Sequence, residues 1–92
     1  MRFEWDYEKE KTNIRKHDID FDFATLVFWD RLRLEEFDGR ENPNEDRWKT
    51  IGLASINVLV VIYTIRDKNG EVFRLISARK ATKNEERKYY QP

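Results

Sequence analysis

The spacing of apolar residues in the first third of the chain predicts two helices. Residues 7–17, "YEKEKTNIRKH", are mostly good helix formers and follow Asp6, whose carboxylate is suited to accept hydrogen bonds from the first free N–H groups. In the next stretch, "DIDFDFATLVFWD", Asp20 is a candidate cap and the apolar residues recur mostly three and four positions apart. These residues are Phe21, Phe23, Ala24, Val27 and Phe28. We therefore expect one helix over 7–17 and a short amphipathic second helix after Asp20.

From Arg47 onward the pattern becomes that of β-strands. The segments "RWKTIGL" and "NVLVVIYTIR" are rich in β-branched and aromatic residues, and the run Leu59 to Ile65 is apolar on both pleat faces. Asp67 to Gly70 contains the Asn-Gly pair favoured in tight hairpin turns, and "EVFRLISAR" follows as the returning strand. Residues 38–46, "DGRENPNED", gather turn formers and predict an exposed loop before these strands.

A last helix is predicted to begin at about Lys83. Thr82 and Glu85 fit the capping box, in which a threonine hydroxyl and a glutamate carboxylate each accept from an otherwise free backbone N–H. Helices and strands are thus segregated along the chain, which indicates an α+β fold. We expect two N-terminal helices, an antiparallel three- or four-stranded sheet and a C-terminal helix, in a single domain over residues 1–92.

The Asn-Gly turn also predicts which strand residues face each other. If the turn closes between Lys68 and Glu71, paired positions sum to 139, so Arg66 lies opposite Phe73 and Arg79 lies opposite Val60. Arg66 and Arg79 then share a face but lie about six residues apart, roughly 20 Å along the ladder. A similar count through the preceding turn brings Arg47 near Thr64 on the same face.

Composition excludes several classes of chemistry. The chain has no cysteine and one histidine, so neither disulfides nor a thiolate metal site can form, and zinc catalysis is not expected. Its three glycines are scattered and form no phosphate-binding loop, and one histidine beside two serines gives little basis for a catalytic triad. No apolar run approaches the length of a membrane span, and no signal-peptide pattern opens the sequence. We expect a cytoplasmic protein that needs no cofactor.

The net charge of zero conceals a separation of charge along the chain. Residues 1–17 hold five Lys/Arg and four Asp/Glu, and residues 18–47 hold four and ten. Residues 48–71 hold three and two, and residues 72–92 hold six and two. The four segments therefore carry +1, −6, +1 and +4. The basic end is suited to an anionic partner, and the acidic segment is suited to receive a basic partner or to keep the fold soluble.

One reaction fits this inventory without a metal or a protein nucleophile. RNA can be cleaved by its own 2′-hydroxyl if a protein positions the chain, moves protons and neutralises charge on the phosphate. The cations in and just after the predicted sheet are Arg47, Lys49, Arg66, Arg74, Arg79, Lys80, Lys83 and Arg87. His17 and Tyr89 are candidates for proton transfer. The competing interpretations are ion pairs or solvated ends for the cations, helix-end carbonyl contacts for His17, and packing for Tyr89.

Several sequence blocks resemble one known family. "FEWDYEKEKTNIRKHDIDFDFATLVFWD", "EDRWKTIGL", "VLVVIYTIR" and "RLISARKATKNEERKYY" are together similar to the BrnT toxins, in the same order and over nearly the whole chain. The resemblance implies a ribonuclease toxin of a type II toxin-antitoxin system that inhibits translation, with a fold related to the RelE toxins. It also implies a BrnA-type antitoxin, a ribbon-helix-helix protein through which alone the toxin would reach DNA.

The resemblance carries some residues over by position. The arginine of "YTIR" is Arg66, the cations of "SARKAT" are Arg79 and Lys80, and Arg47 lies in the "RW..IG" block. We predict Arg79, Lys80 and, more weakly, Arg66 as catalytic. We predict RNA contacts from a second set of cations, namely Arg47, Lys49, Lys83 and Arg87. Asp18 and Asn57 depart from the family pattern, which usually has glycine at the first position and often at the second.

Two other functions remain open from the sequence. The chain could be a non-catalytic interaction module that acts in a DNA-bound regulatory complex, or a DNA-binding protein on its own. The second is less favoured, because six cations against two acids over the last 21 residues is a modest footprint and no recognition-helix pattern is evident.

Overall fold

The computed structural model describes residues 1–38, 46–67 and 69–91. Its elements in chain order are β1 (Arg2–Trp5), α1 (Tyr7–His17), α2 (Phe21–Ala24), a 3₁₀ helix (Thr25–Trp29), β2 (Leu34–Phe37), β3 (Trp48–Ala54), β4 (Asn57–Ile65), β5 (Val72–Lys80) and α3 (Lys83–Tyr90). Most of the loop predicted over 38–46, and Lys68 of the predicted hairpin turn, lie outside the described residues.

All three helix starts are confirmed, because each predicted cap makes its bond. Asp6 accepts from the amides of Glu8 and Lys9 at 2.8 and 3.2 Å. Asp20 accepts from the amide of Phe23 at 2.7 Å, although the helix it begins becomes a 3₁₀ helix after one turn. Both bonds of the α3 capping box are present.

The sheet has five strands in the order β1-β5-β4-β3-β2 and is mixed. The prediction of a three- or four-stranded antiparallel sheet is therefore wrong in the number of strands and in the direction of one of them, β1. β1 pairs in parallel with β5, and the other neighbours are antiparallel. The sequence did not reveal β1 and β2 because each is a four-residue edge strand that alternates between exposed and half-buried positions. So short an alternation is too weak a signal to separate from a loop. The α+β class is confirmed.

The predicted register is correct at one end of the β4–β5 hairpin and wrong at the other. Val60 faces Arg79 as expected, and pairs sum to 139 as far as Ile62 and Ser77. Tyr63 then faces Leu75, which leaves Ile76 as the extra residue of a β-bulge. Arg66 therefore does not face Phe73 as predicted. Its amide donates to the carbonyl of Val72.

The sheet buries apolar side chains on both faces. On one face, α1, α2 and the 3₁₀ helix surround a cluster that includes Phe21, Phe28 and Tyr63. On the other face, α3 places Tyr89 against Ile51, Val58 and Val60. β4 runs through the middle and is covered on both sides over much of its length, as its continuous apolar run predicts.

Asn13 closes the open edge of β5. β1 stops where Trp5 faces Leu75, so β5 continues beyond its neighbour. The Asn13 amide donates to the carbonyls of Ala78 and Ile19 at 2.8 and 2.9 Å and accepts from the Ala78 N–H at 3.0 Å. A buried side chain thus takes the place of a strand and attaches α1 to the sheet.

Asp30 has a corresponding role at β3. Its carboxylate accepts from the amides of Leu53 at 2.8 Å and Leu32 at 2.9 Å. The α carbon of Gly52 lies close beneath, and a Cβ there would come within 3.0 Å of the Val27 side chain and 3.2 Å of the Asp30 carboxylate. Glycine at this position therefore allows the segment before β2 to lie against the strand.

Replacing Asn13 by Ala should destabilise the protein by about 3 kcal/mol, because three buried backbone groups lose their partners at once. Denaturant unfolding followed by tryptophan fluorescence measures this change. Thr12→Ala on the same helix is the control and should cost under about 0.5 kcal/mol, since that hydroxyl bonds only to its own helix. A loss below about 1 kcal/mol for Asn13→Ala would show that water replaces these bonds at little cost.

Candidate functional site

α3 covers only part of its face of the sheet, and cations line the part beside it. Residues that face each other across a ladder point to the same side, so Lys49, Ile62 and Ser77 share this face. Val60 and its partner Arg79 lie on it as well, since β4 positions two apart point the same way. Arg47 lies one residue before the last β3–β4 pair, Trp48 with Tyr63, which places it opposite Thr64 as predicted.

Arg47 and Arg79 line the same cleft, of about 240 Å³. Its other lining residues are Asp38, Ile62, Ile76 and Ser77. Two of the cations predicted from sequence therefore meet at one site, although they come from β5 and from the residue just before β3.

Glu85 fixes the orientation of Arg79. Its two carboxylate oxygens accept from the Arg79 guanidinium at 2.7 and 2.9 Å, and the Lys49 ammonium lies 3.2 Å from one of them. The same carboxylate accepts from the Thr82 amide at 2.9 Å as part of the capping box. The turn chemistry that begins α3 thus also positions two cations of β3 and β5.

The charges in this cluster shift one another's protonation equilibria. The hydrogen bonds from Arg79 hold the pKa of Glu85 far below its usual range, against the opposing effect of burial. The same contact raises the pKa of Arg79. With two cations and one carboxylate, the group keeps a net positive charge beside the cleft.

Lys80 does not join Arg79 in the cleft. It faces Leu59, which is buried in the cluster on the opposite side of the sheet, whereas Arg79 faces Val60. Neighbouring residues on a strand point to opposite faces, so these two cations, both predicted as catalytic, do not meet at one site.

Arg66 lies in a different cation cluster on the same face. Its guanidinium is 3.9 Å from the carboxylate of Glu4 on β1, and that of Arg74 is 3.8 Å from the same carboxylate. Arg66 lies six β4 positions from Val60, which faces Arg79, in agreement with the separation expected from sequence.

The two predicted cations of α3 lie apart from the cleft lining. Lys83 is the exposed first residue of the helix. Arg87 donates to Asn84 at 3.2 Å and borders a separate shallow groove with Lys88 and Gln91. Neither is among the described residues that line the cleft with Arg79.

The Tyr89 hydroxyl is committed to the fold. Tyr89 is 6% exposed and donates to the Asp30 carboxylate at 2.5 Å. Burial and this hydrogen bond raise the pKa of Tyr89 to about 12. Burial opposes ionisation of Asp30, but the hydrogen bonds from Tyr89 and the backbone outweigh it and lower the Asp30 pKa. The phenol therefore links α3 to Asp30, whose carboxylate also bonds to β3, and we do not retain it as a proton donor to RNA.

His17 lies on a second cleft that adjoins the first. It is exposed at the end of α1 and shares a cleft with Lys16, Ile76 and Ser77. Ile76 and Ser77 also line the cleft of Arg79, so the two clefts meet at the β-bulge. His17 stays a candidate for proton transfer on this geometry.

Sequence reasoning overlooked Ser77 and Glu85. Ser77 was considered only as a nucleophile, although the sum of 139 already places it opposite Ile62 and on the face of Arg79. Glu85 was read only as a capping residue, and nothing in its spacing reveals the bond to Arg79.

Within residues 1–38, 46–67 and 69–91, no three His, Cys, Asp or Glu side chains converge as metal ligands. None of the helices in these ranges is long and apolar enough to cross a membrane.

Comparisons with known proteins agree on one family. A family model described as "Ribonuclease toxin, BrnT, of type II toxin-antitoxin system" matches residues 5–85. The 1.1 Å crystal structure of the Brucella abortus ribonuclease toxin BrnT is similar, with a TM-score of 0.65 and 26% sequence identity. The match covers 90% of this chain and 99% of that one. A search of curated proteins gave no match.

Glu85→Gln should destabilise the protein at neutral pH by about 1–2 kcal/mol, a modest amount because Arg79 is partly exposed. The folded pKa of Glu85 is depressed, so its contribution is complete above the usual glutamate pKa of about 4.3 and is lost as pH falls below it. The difference in unfolding free energy between the two proteins should therefore narrow in acid.

Denaturant unfolding at several pH values from 7 to 3 measures that difference. Glu86→Gln is the matched control, since Glu86 is an exposed acid in the same helical turn, and it should change stability by under about 0.5 kcal/mol throughout. A Glu85→Gln deficit that stays constant with pH would mean that the carboxylate charge is not what holds Arg79.

Proposed function

The chain belongs to the BrnT family of ribonuclease toxins of type II toxin-antitoxin systems, and we propose that it is a metal-independent endoribonuclease that cleaves RNA through the RNA's own 2′-hydroxyl. Cleavage of RNA would inhibit translation. The proposal treats residues 1–92 as one RelE-like toxin domain, which the single sheet shared by all five described strands supports.

The meeting of Arg47 and Arg79 in one cleft carries this proposal. Two guanidinium groups on one cleft suit a phosphate, because each offers several N–H donors in a planar fork. When the 2′-oxygen attacks, phosphorus becomes five-coordinate and gains negative charge on its equatorial oxygens. Donors already held in place stabilise this charge without reorganising, and Glu85 supplies that fixed orientation for Arg79.

The proposed reaction also needs two proton transfers. The 2′-hydroxyl loses a proton as its oxygen bonds to phosphorus, and the 5′-oxygen gains one as its bond to phosphorus breaks. His17 is our candidate for one of these steps, because its cleft joins that of Arg79 at Ser77. We assign the Ser77 hydroxyl, which lines both clefts, as a donor to a phosphate oxygen. Lys49 adds positive charge behind Arg79.

Four of the predicted cations have a less direct role in the proposed reaction, namely Lys80, Lys83, Arg66 and Arg87. Each lies outside the described lining of the cleft, so we assign them to longer-range attraction of RNA rather than to the reacting phosphate.

A BrnA-type ribbon-helix-helix antitoxin is the partner we propose, with DNA reached only through it. The described part of the acidic segment, residues 18–38, holds seven Asp/Glu and two Lys/Arg. It also exposes four large apolar side chains, with 43% of Leu26, 66% of Trp29, 74% of Leu32 and 58% of Phe37 accessible. Exposed apolar groups amid acidic ones are suited to a basic amphipathic partner.

The alternative is a non-catalytic interaction module in a DNA-bound complex. The two functions differ in what the chain does alone: the proposed enzyme slows growth when expressed without a partner, whereas the module has no such effect.

The purified protein should cleave RNA in the presence of EDTA and leave 2′,3′-cyclic phosphate or 3′-phosphate ends. Arg79→Ala and Arg47→Ala should each lower the cleavage rate by about 100-fold or more, the loss typical when a fixed donor to a charged transition state is removed. Gel assays with end-labelled RNA, and mass spectrometry of the product ends, provide both readouts.

Arg15→Ala is the matched control, because Arg15 is an exposed α1 arginine outside the described cleft lining, and its cleavage rate should stay within twofold of the original. Circular dichroism confirms that each variant is folded. Products with 3′-hydroxyl ends would exclude attack by the 2′-oxygen, and a folded Arg79→Ala protein with undiminished cleavage would remove Arg79 from the catalytic set.

Trp29→Glu combined with Leu32→Glu should abolish co-purification with the cognate antitoxin, because the change places charge on the exposed apolar contacts. RNA cleavage by the isolated variant should persist, since both residues lie outside the described lining of the cationic cleft. Co-expression with a tagged antitoxin measures binding. Retention of the variant at the original yield would place the antitoxin on another surface.

A further inference from the structure

α1 turns its polar side toward the sheet, the reverse of the usual arrangement. Asn13 is the buried residue of this helix, and Lys9 and Lys16 flank it on the side of β5. The apolar Tyr7 and Ile14 point away and are 64% and 40% exposed. A helix that only covered a sheet would place its apolar stripe inward, so this orientation calls for another explanation.

The polar side of α1 does not seal against β5 but leaves a cleft of about 400 Å³. Ile76 and Ser77 form its wall on the strand side, and Lys9, Lys16 and His17 lie on the helix side. Two carboxylates, Asp6 and Glu8, also line the cleft, and Asp6 already accepts from the first amides of α1. The volume falls in the range of small-ligand sites, roughly 300–1,000 Å³. Its combination of an apolar wall with cationic and hydrogen-bonding groups is that of a site for a nucleotide.

The β-bulge joins this cleft to the one that holds Arg79. Ile76 is the extra residue of the bulge, and Ile76 and Ser77 line both clefts. Ser77 and Arg79 are two strand positions apart, about 7 Å along β5. An RNA chain with one phosphate at Arg79 therefore has its adjacent nucleotide at the mouth of the second cleft.

We propose that the cleft between α1 and β5 binds the nucleotide next to the scissile phosphate. Lys9 and Lys16 contact its backbone phosphate, and the base packs against Ile76. Among the described residues, neither lysine has a carboxylate within ion-pair distance. The Asn13 amide is fully occupied by β5 and Ile19, so it shapes the cleft without reading the base. This inference rests on the proposed function.

Binding of a 2′-fluoro RNA oligonucleotide tests the inference separately from catalysis, because this RNA lacks the attacking hydroxyl. Lys9→Ala combined with Lys16→Ala should raise the Kd in fluorescence anisotropy by about tenfold. It should also lower the slope of log Kd against log salt by one to two, as expected when two phosphate contacts are lost. Lys11→Ala combined with Arg15→Ala removes the same charge from the same helix outside the cleft and should change the Kd by less than twofold.

Photo-cross-linking reports on the base. The same oligonucleotide with 4-thiouridine should yield cross-linked peptides that contain α1 residues or Ile76. If the two double variants bind equally and no such peptide forms, the inference is overturned, whether or not the protein cleaves RNA. If the Lys9 and Lys16 variant alone binds weakly while the original protein leaves natural RNA intact, the cleft stands and the catalytic proposal fails.

Discussion

The architecture depends on how the chain completes the edge of β5. Every backbone N–H and C=O removed from water needs a partner, yet β1 ends opposite Leu75, five positions before Lys80, the last β5 residue that pairs with β4. The side-chain amide of Asn13 fills this gap because it carries a donor and an acceptor spaced like those of a peptide group. One residue thereby fixes the position of α1, and with it the cleft that α1 forms beside the bulge.

In the candidate site, one side chain of α3 likewise has two roles. A glutamate at the third position of a helix commonly accepts from the capping residue, and Glu85 does so. Because β5 runs directly into this helix, the same carboxylate reaches back to Arg79 and Lys49. The ion pair holds the guanidinium in place, while the second cation preserves a positive potential for an anion. The contact that stabilises the domain thus also prepares the site that we propose for phosphate.

Local chemistry made much of the fold predictable. Helix starts followed from Asp6, Asp20 and Thr82, because capping involves residues close in sequence. The count from Asn-Gly is correct for the pairs from Ile62 to Leu59 but wrong for the pairs nearest the turn, because the bulged residue Ile76 changes the sum of paired positions from 139 to 138 there. β1 could not be foreseen, because its partner lies about seventy residues away and its four residues, alternately exposed and half-buried, carry almost no pattern.

For the site, the separation of Arg79 from Lys80 follows from strand alternation alone. The bond of Tyr89 to Asp30, in contrast, joins elements whose packing no local rule fixes.

In the fold, the separation of charge along the chain becomes a separation in space. The acidic segment runs through α2, the 3₁₀ helix and β2, and Asp38 at its described end lines the cleft that Arg47 and Arg79 share. In the arrangement we propose, RNA and a basic antitoxin are attracted to different but adjoining surfaces. Of residues 18–38, Asp38 lines the cationic cleft, so an antitoxin that extended along this segment as far as Asp38 would obstruct RNA entry by its volume. Neutralisation would then need no rearrangement of the sheet, since occupancy of one surface limits access to the other.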